Sequence, residues 1–258
     1  LKILFLDIET LPNLGWTWAK YEQDVIRFKQ ETCIATYAAK WLGGPVFAKA
    51  LPDYKGYKPG SYDDKALVQD LHKLLEEADV VVAHNGVDFD MKVINSRFLF
   101  HGIKPPAPYK VVDTKREAKK VARFNSNKLD DLGGLLGEGK KIKTDFDLWL
   151  GCINGDKASW NKMVKYNKQD VLLLEKVYMR LRPWMNSHPN LALTNPKAKC
   201  GKCGSAHIQW RGTAVTTTRS YARFQCQDCG GWGRATKATG KQQELAPSVP
   251  KKVKRRGK

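Results

Sequence analysis

An apolar run that ends in acid constrains this chain most. Ile3-Leu4-Phe5-Leu6 leads without a break into Asp7-Ile8-Glu9-Thr10. The apolar part is short and β-prone, as a buried strand would be. Side chains two apart on a strand share a face. Asp7 and Glu9 therefore point together, while Ile8 points the other way into a core. Adjacent carboxylates repel unless a cation sits between them, and hard oxygen ligands of this kind suit Mg²⁺ or Mn²⁺. An acidic turn after a strand gives the same letters, so this motif does not stand alone.

Downstream, strands come first and then alternate with helices. Residues 32–42 and 45–51 read as strands joined at Gly43-Gly44, Val80–Ala83 as a short buried strand, and Val111-Val112 as another. Leu67, Leu71, Leu74, Leu75 and Ala78 recur at helical spacing, which predicts a helix over about 62–78 capped by Ser61. Further helices are expected over 88–100, 115–123, 129–136 and 159–181, with Pro183 ending the last. The order indicates an α/β domain over residues 1–185, a mixed sheet flanked by helices. Residues 186–199 read as a linker, 200–237 as a small module, and 238–258 as a basic tail expected to be disordered.

Two more motifs carry acids. His84-Asn85-Gly86-Val87-Asp88-Phe89-Asp90 lies where a buried strand gives way to a helix, the edge at which α/β folds place ligands. Asp88 as a helix cap and Asp90 in the first turn would explain the same residues structurally. In Tyr166-Asn167-Lys168-Gln169-Asp170, the tyrosine and the last aspartate are four apart and share one helix face. A half-buried tyrosine beside a surface acid is the plain alternative.

The cysteines divide the chain. Cys200-Gly-Lys-Cys203 and Cys226-Gln-Asp-Cys229 enclose 22 residues. Paired knuckles at this spacing suit one structural Zn²⁺ held by four thiolates; a redox pair is the rival for either CxxC alone. Such usage implies a reducing compartment, and a cytoplasmic location in a bacterial or phage-infected cell is expected. Apolar runs are too short for a membrane span, and no signal-peptide pattern opens the sequence. From Lys197 onward there are 15 Lys/Arg against two acids, which points to a polyanionic partner. Arg211, Arg219, Arg223 and Arg234, with Trp210, Tyr221 and Trp232, would suit nucleic acid; the alternative is a module stapled by metal for folding alone. The terminal 250–256 run would meet phosphates without sequence preference.

Together the three acidic motifs resemble those of the DnaQ-like exonuclease family, within the ribonuclease-H-like superfamily. Asp7-Ile8-Glu9-Thr10 matches its first motif, Asn85–Asp90 its second, and Tyr166–Asp170 its third, in the tyrosine (DEDDy) form. The resemblance implies that Asp7, Glu9, Asp90 and Asp170 hold two Mg²⁺ or Mn²⁺ ions, with Asp7 between them, and that Tyr166 contacts the attacking water. Asp88 is an extra acid in the second motif; Phe89-Asp90 fits the family better, so Asp90 is the expected ligand. Asp113, Asp130, Asp131, Asp145 and Asp147 match no motif and default to structural or surface roles, and His84 is expected to be structural. Thr10, Leu11 and Asn85 are expected to touch substrate, with Leu11 wedged against the terminal base. Trp16, Trp18 and Tyr21 would either stack on bases or pack in the core. The implied activity is 3′–5′ removal of nucleotides from single-stranded or 3′-ended nucleic acid, DNA before RNA. An exoribonuclease, a flap-trimming or endonucleolytic enzyme, and a non-catalytic nucleic-acid-binding protein stay open.

Overall fold

The computed structural model describes residues 1–21, 24–197 and 199–239. Most of the expected basic tail, including the 250–256 run, lies outside them. The chain divides into two compact units, with the boundary between Leu181 and Arg182.

The first unit runs β1 (Ile3–Leu11), β2 (Leu14–Trp16), β3 (Arg27–Gln30), β4 (Cys33–Trp41), β5 (Val46–Ala50), α1 (Lys65–Glu77), β6 (Val80–Ala83), α2 (Asp90–Phe100), β7 (Lys110–Asp113), α3 (Thr114–Val121), α4 (Leu129–Leu135), α5 (Phe146–Ile153) and α6 (Lys157–Leu181). The main sheet has the order β5-β4-β1-β6-β7. β4 is antiparallel to β1 and β5, while β6 is parallel to β1 and β7, so the sheet is mixed, as expected. The hairpin β2–β3 and helix α5 were not expected from the sequence.

The pleat of β1 sorts its side chains. Leu4, Leu6 and Ile8 enter a core that includes Leu67, Leu71 and Leu75 of α1 and Met91, Ile94 and Phe98 of α2. On the other face Phe5 meets Tyr178 of α6 edge-on, with centroids 5.3 Å apart. Asp7 and Glu9 continue this face. The α6 side of the sheet therefore changes from apolar to acidic within one strand, and the core itself positions the carboxylates.

Ser61 does not cap α1, which begins three residues later than expected; the preceding residue is Asp64. Asp64 is fully buried and is committed elsewhere. Its carboxylate accepts from Arg97 Nε at 2.8 Å and Nη2 at 2.7 Å and from the Ile34 N–H at 2.9 Å, and lies 2.6 Å from His101 Nε2. A buried charge is tolerated only when partnered this fully.

The second unit contains β8 (Ile208–Val215), β9 (Ser220–Cys226) and β10 (Trp232–Thr239) in an antiparallel sheet. β10 carries the ordered module to Thr239, which pairs with Ser220. Among the described residues, no helix is long and apolar enough to cross a membrane.

Candidate active site and metal centre

β6 ends at Ala83, so β1 from Asp7 onward projects beyond its parallel neighbour. Two groups meet that projecting edge. Asp90, the first residue of α2, accepts the Ile8 N–H at 3.2 Å. Asn167 of α6 donates to Asp7 Oδ2 at 2.6 Å and to the Asp7 carbonyl at 3.3 Å. Tyr166, Asn167 and Asp170 are all buried on α6. One ligand oxygen from each of Asp7, Glu9 and Asp170 lies within 4.8 Å of the others.

The structure thus gathers three of the four expected carboxylates in one group. Asp90 stands beside it, tethered to the β1 backbone, and is the nearby charge that most raises the Asp7 pKa after burial. Asp88 is turned to the surface, where it pairs with Arg116 at 2.7 Å. It does not cap α2, which begins at Asp90 with Phe89 before it.

Burial and mutual repulsion shift all four acids toward their proton-bound forms. Asp7 is raised well above the usual carboxylate range by burial, then by Asp90, Glu9 and Asp170. Glu9 is pushed up to about 8, chiefly by burial, against the pull of Lys141. Asp90 rises to about 6 by burial, partly offset by the backbone N–H groups it accepts. Asp170 is raised by burial and lowered in part by Lys141. Both Asp170 oxygens are buried; Oδ1 finds no hydrogen-bond donor, while Oδ2 is met by the Lys141 ammonium. A cluster of raised carboxylates, one of them with a buried oxygen lacking a donor, fits a divalent cation held by oxygen.

Lys141 and Asn167 are the site residues that sequence reasoning missed. Lys141 Nζ lies 2.5 Å from Asp170 Oδ2 and 5.1 Å from the Tyr166 ring centroid. Burial alone would lower its ammonium, but Asp170 outweighs this and holds it above its ordinary value. Asp130 accepts the Lys141 backbone N–H at 2.6 Å, which gives this non-motif acid a positioning role. Burial pushes the Tyr166 phenol up, so it remains a hydrogen-bond donor at neutral pH.

The second-motif loop is built on Asp113, which accepts N–H groups from Asn85, Val87, Lys115 and Arg116 at 3.0–3.2 Å. Asn85 takes a left-handed φ of 66°, and its side chain meets Lys115 Nζ at 3.1 Å. A Cβ at Gly86 would stand 2.4 Å from Ala83 Cβ, so only glycine fits the turn. His84 is structural: burial lowers its imidazole to about 4, and the neutral ring lies between Thr114 Oγ1 at 2.9 Å and the Asn127 carbonyl at 3.0 Å.

Leu11 corrects an expectation. It is 1 % exposed and packed in the core, past a register shift in the β1–β4 pairing between Glu9 and Thr10, so it cannot wedge against a base. The Thr10 carbonyl accepts the Trp149 indole N–H at 3.0 Å. Trp16, Trp18 and Tyr21 are exposed at 62 %, 91 % and 74 %, which removes the core-packing alternative for them.

In the second unit, Cys200, Cys203, Cys226 and Cys229 bring their sulfurs within 4.8 Å of one another. Cys200–Cys229 and Cys203–Cys226 are 3.7 and 3.6 Å apart. Four thiolates at about 2.3 Å from a tetrahedral zinc would be about 3.8 Å apart, so the cage fits that ion. Gly204 and Gly230 follow the knuckles at φ 79° and 75°, and their N–H groups bond back to Cys200 and Cys226.

A sequence profile of the RNase H superfamily, RNase_H_2, matches residues 48–182. The chain belongs to the RNase H superfamily. The match includes Asp90, Tyr166 and Asp170 and begins after Asp7 and Glu9. No curated protein matches this superfamily member in sequence. Among solved structures, it is similar to the family B DNA polymerase from the hyperthermophilic archaeon Pyrobaculum calidifontis, at TM-score 0.53 and 16% identity. That likeness is one of fold; it covers 71% of this chain and 25% of the polymerase, so the chain spans about a quarter of that protein's length.

Proposed function

We propose that the first unit is a two-metal 3′–5′ exonuclease of the DEDDy type acting on single-stranded nucleic acid. The observation that carries this is the gathering of Asp7, Glu9 and Asp170 oxygens within 4.8 Å, with Asp90 alongside. In this reading the four acids hold two Mg²⁺ or Mn²⁺ ions, which supply an acidified water and stabilise the leaving 3′ oxygen. The chain's own groups do the rest. Asn167 fixes the Asp7 carboxylate, and the Ile8 N–H fixes Asp90. Tyr166, held protonated, orients the attacking water by hydrogen bonding. Lys141, whose ammonium Asp170 holds above its ordinary value, acts electrostatically.

Polarity follows the resemblance of the three motifs to DnaQ-like exonucleases. DNA is preferred to RNA in this proposal because the structural neighbour is a DNA polymerase. The exposed Trp16, Trp18 and Tyr21 support stacking of unpaired bases. In the second unit the four cysteines hold one Zn²⁺.

The test uses matched DNA and RNA strands labelled at either end, incubated with Mg²⁺ or Mn²⁺. The reading expects 5′-labelled single-stranded DNA to shorten stepwise, RNA to shorten more slowly, and Asp7→Ala to stop both. Release of short fragments from the 5′ end, or internal cuts, would overturn the polarity. No cleavage, with binding retained, would favour the non-catalytic alternative.

A further inference from the structure

The two faces of the zinc-bearing sheet have different chemistry. Cross-strand partners share a face, so the pairs Trp210↔Phe224 and Gly233↔Phe224 define one side. There Trp210 packs edge-on against Phe224 at 5.6 Å, and a Cβ at Gly233 would collide with the Phe224 ring at 2.3 Å. The pairs Trp232↔Gln225 and Arg234↔Arg223 define the other. On that side Arg223 and Arg211 lie 4.8 and 5.7 Å from the Trp232 ring, and Arg234 lies 3.7 Å from the Tyr221 ring. Of the aromatics grouped with the arginines in the sequence, Trp232 and Tyr221 share their face and Trp210 lies on the other.

This guanidinium face is built. Arg211 donates to Gln225 Oε1 at 2.7 Å, and Arg223 Nε donates to the Arg211 carbonyl at 3.1 Å. Gly212, at φ 68° in the bulge of β8, lets Arg223 reach across; a Cβ there would stand 3.3 Å from its Nη2. Between Arg182 and Thr239, Asp228 is the only acid among the described residues, and it is engaged by Ser205 and His207 at the knuckles. A guanidinium beside a ring has five N–H donors, so one bond to the protein from each of Arg211 and Arg223 leaves others for phosphate. Trp232, 44 % exposed, offers a ring between two such groups.

We propose that the Arg211–Arg223–Trp232 face, with Arg234 and Tyr221, binds the backbone and unpaired bases of single-stranded nucleic acid without sequence preference, and that Trp210 takes no part. The occupant follows from charge and shape. An acid-free row of arginines suits phosphates, and exposed rings among them suit unstacked bases, which a duplex does not present. This site goes beyond the nuclease reading and does not depend on it.

The test measures binding by the full zinc-loaded chain carrying Asp7→Ala, so that no strand is degraded. Fluorescein-labelled oligodeoxythymidylate and duplex DNA of equal length are titrated over a range of KCl. Trp232→Ala is expected to weaken single-strand binding about tenfold. Arg211→Gln with Arg223→Gln is expected to reduce the slope of log affinity against log salt by about 1.4, near 0.7 for each lost phosphate contact. Trp210→Ala is expected to leave affinity and slope as in the parent. Zinc content of each variant, one ion per chain, separates lost binding from lost folding, and the arginine pair serves if Trp232→Ala loses its zinc. Parent-like binding by the zinc-loaded arginine variant, equal losses on Trp210→Ala and Trp232→Ala, or tighter binding of duplex would overturn the proposal.

Discussion

Lys141 Nζ lies 2.5 Å from Asp170 Oδ2, so an ammonium already meets the acid that closes the carboxylate cluster. A divalent ion at Asp170 must compete with it. Lys141→Ala should therefore tighten Mn²⁺ binding severalfold. The same change leaves a buried carboxylate without its ion pair, which should lower stability without added metal by about 1–3 kcal/mol. Calorimetric Mn²⁺ titration and urea melts check both signs; weaker Mn²⁺ binding would show that Lys141 supports the ions.

Metal affinity should climb between pH 6 and pH 8. Glu9 is pushed up to about 8 from an ordinary 4.5, and Asp90 to about 6 from 3.8. The folded chain without added divalent ions therefore binds these protons more tightly than the unfolded chain. For Glu9 and Asp90, that form is favoured most at low pH, and its stability falls as pH rises from about 4 to about 8. A bound cation reverses the penalty by taking the place of the protons. Adding Mg²⁺ should thus raise the melting temperature more at pH 8 than at pH 6, with proton release seen as buffer-dependent binding enthalpy. Equal Mg²⁺ effects at both pH values would contradict this.

Asn167→Leu removes the donor that holds Asp7 at 2.6 Å while keeping the branched heavy-atom skeleton of the side chain. Groups that orient a metal ligand are typically worth about 10–100-fold in affinity or activity. Mn²⁺ affinity should fall by that order with helix content unchanged. Unaltered affinity would reduce Asn167 to a packing residue.

Tyr166→Phe should weaken cleavage less than Asp7→Ala. The phenol is held protonated by burial and serves to orient, while Asp7 stands in the carboxylate group itself. Single-turnover rates at saturating Mg²⁺ compare the two; equal and complete losses would assign Tyr166 an essential role.

The readable parts of this chain were those in which spacing alone determines geometry. Asp7 and Glu9 are two apart on a strand, Tyr166 and Asp170 four apart on a helix, and the CxxC pairs sit at zinc-knuckle spacing. The mixed sheet followed from strand and helix order. Lys141 was not readable, because it lies among Lys140 and Lys143 in a stretch without regular structure, and only the fold selects which lysine turns inward. Asn167 was hidden inside a motif where its neighbours carry the pattern. Asp64 was overlooked because its partners Arg97 and His101 are more than thirty residues away. Leu11 failed as a substrate contact because the β1–β4 pairing shifts register before it and the core takes the side chain.

The central claim is that Asp7, Glu9, Asp90 and Asp170 form a site for two divalent ions. Equilibrium Mn²⁺ binding, counted by electron paramagnetic resonance on the zinc-loaded chain at pH 8, tests it most directly. The account predicts two Mn²⁺ ions per chain, with both lost or severely weakened in Asp7→Ala and cleavage lost in parallel. The same Mn²⁺ binding by the parent and by Asp7→Ala would contradict it.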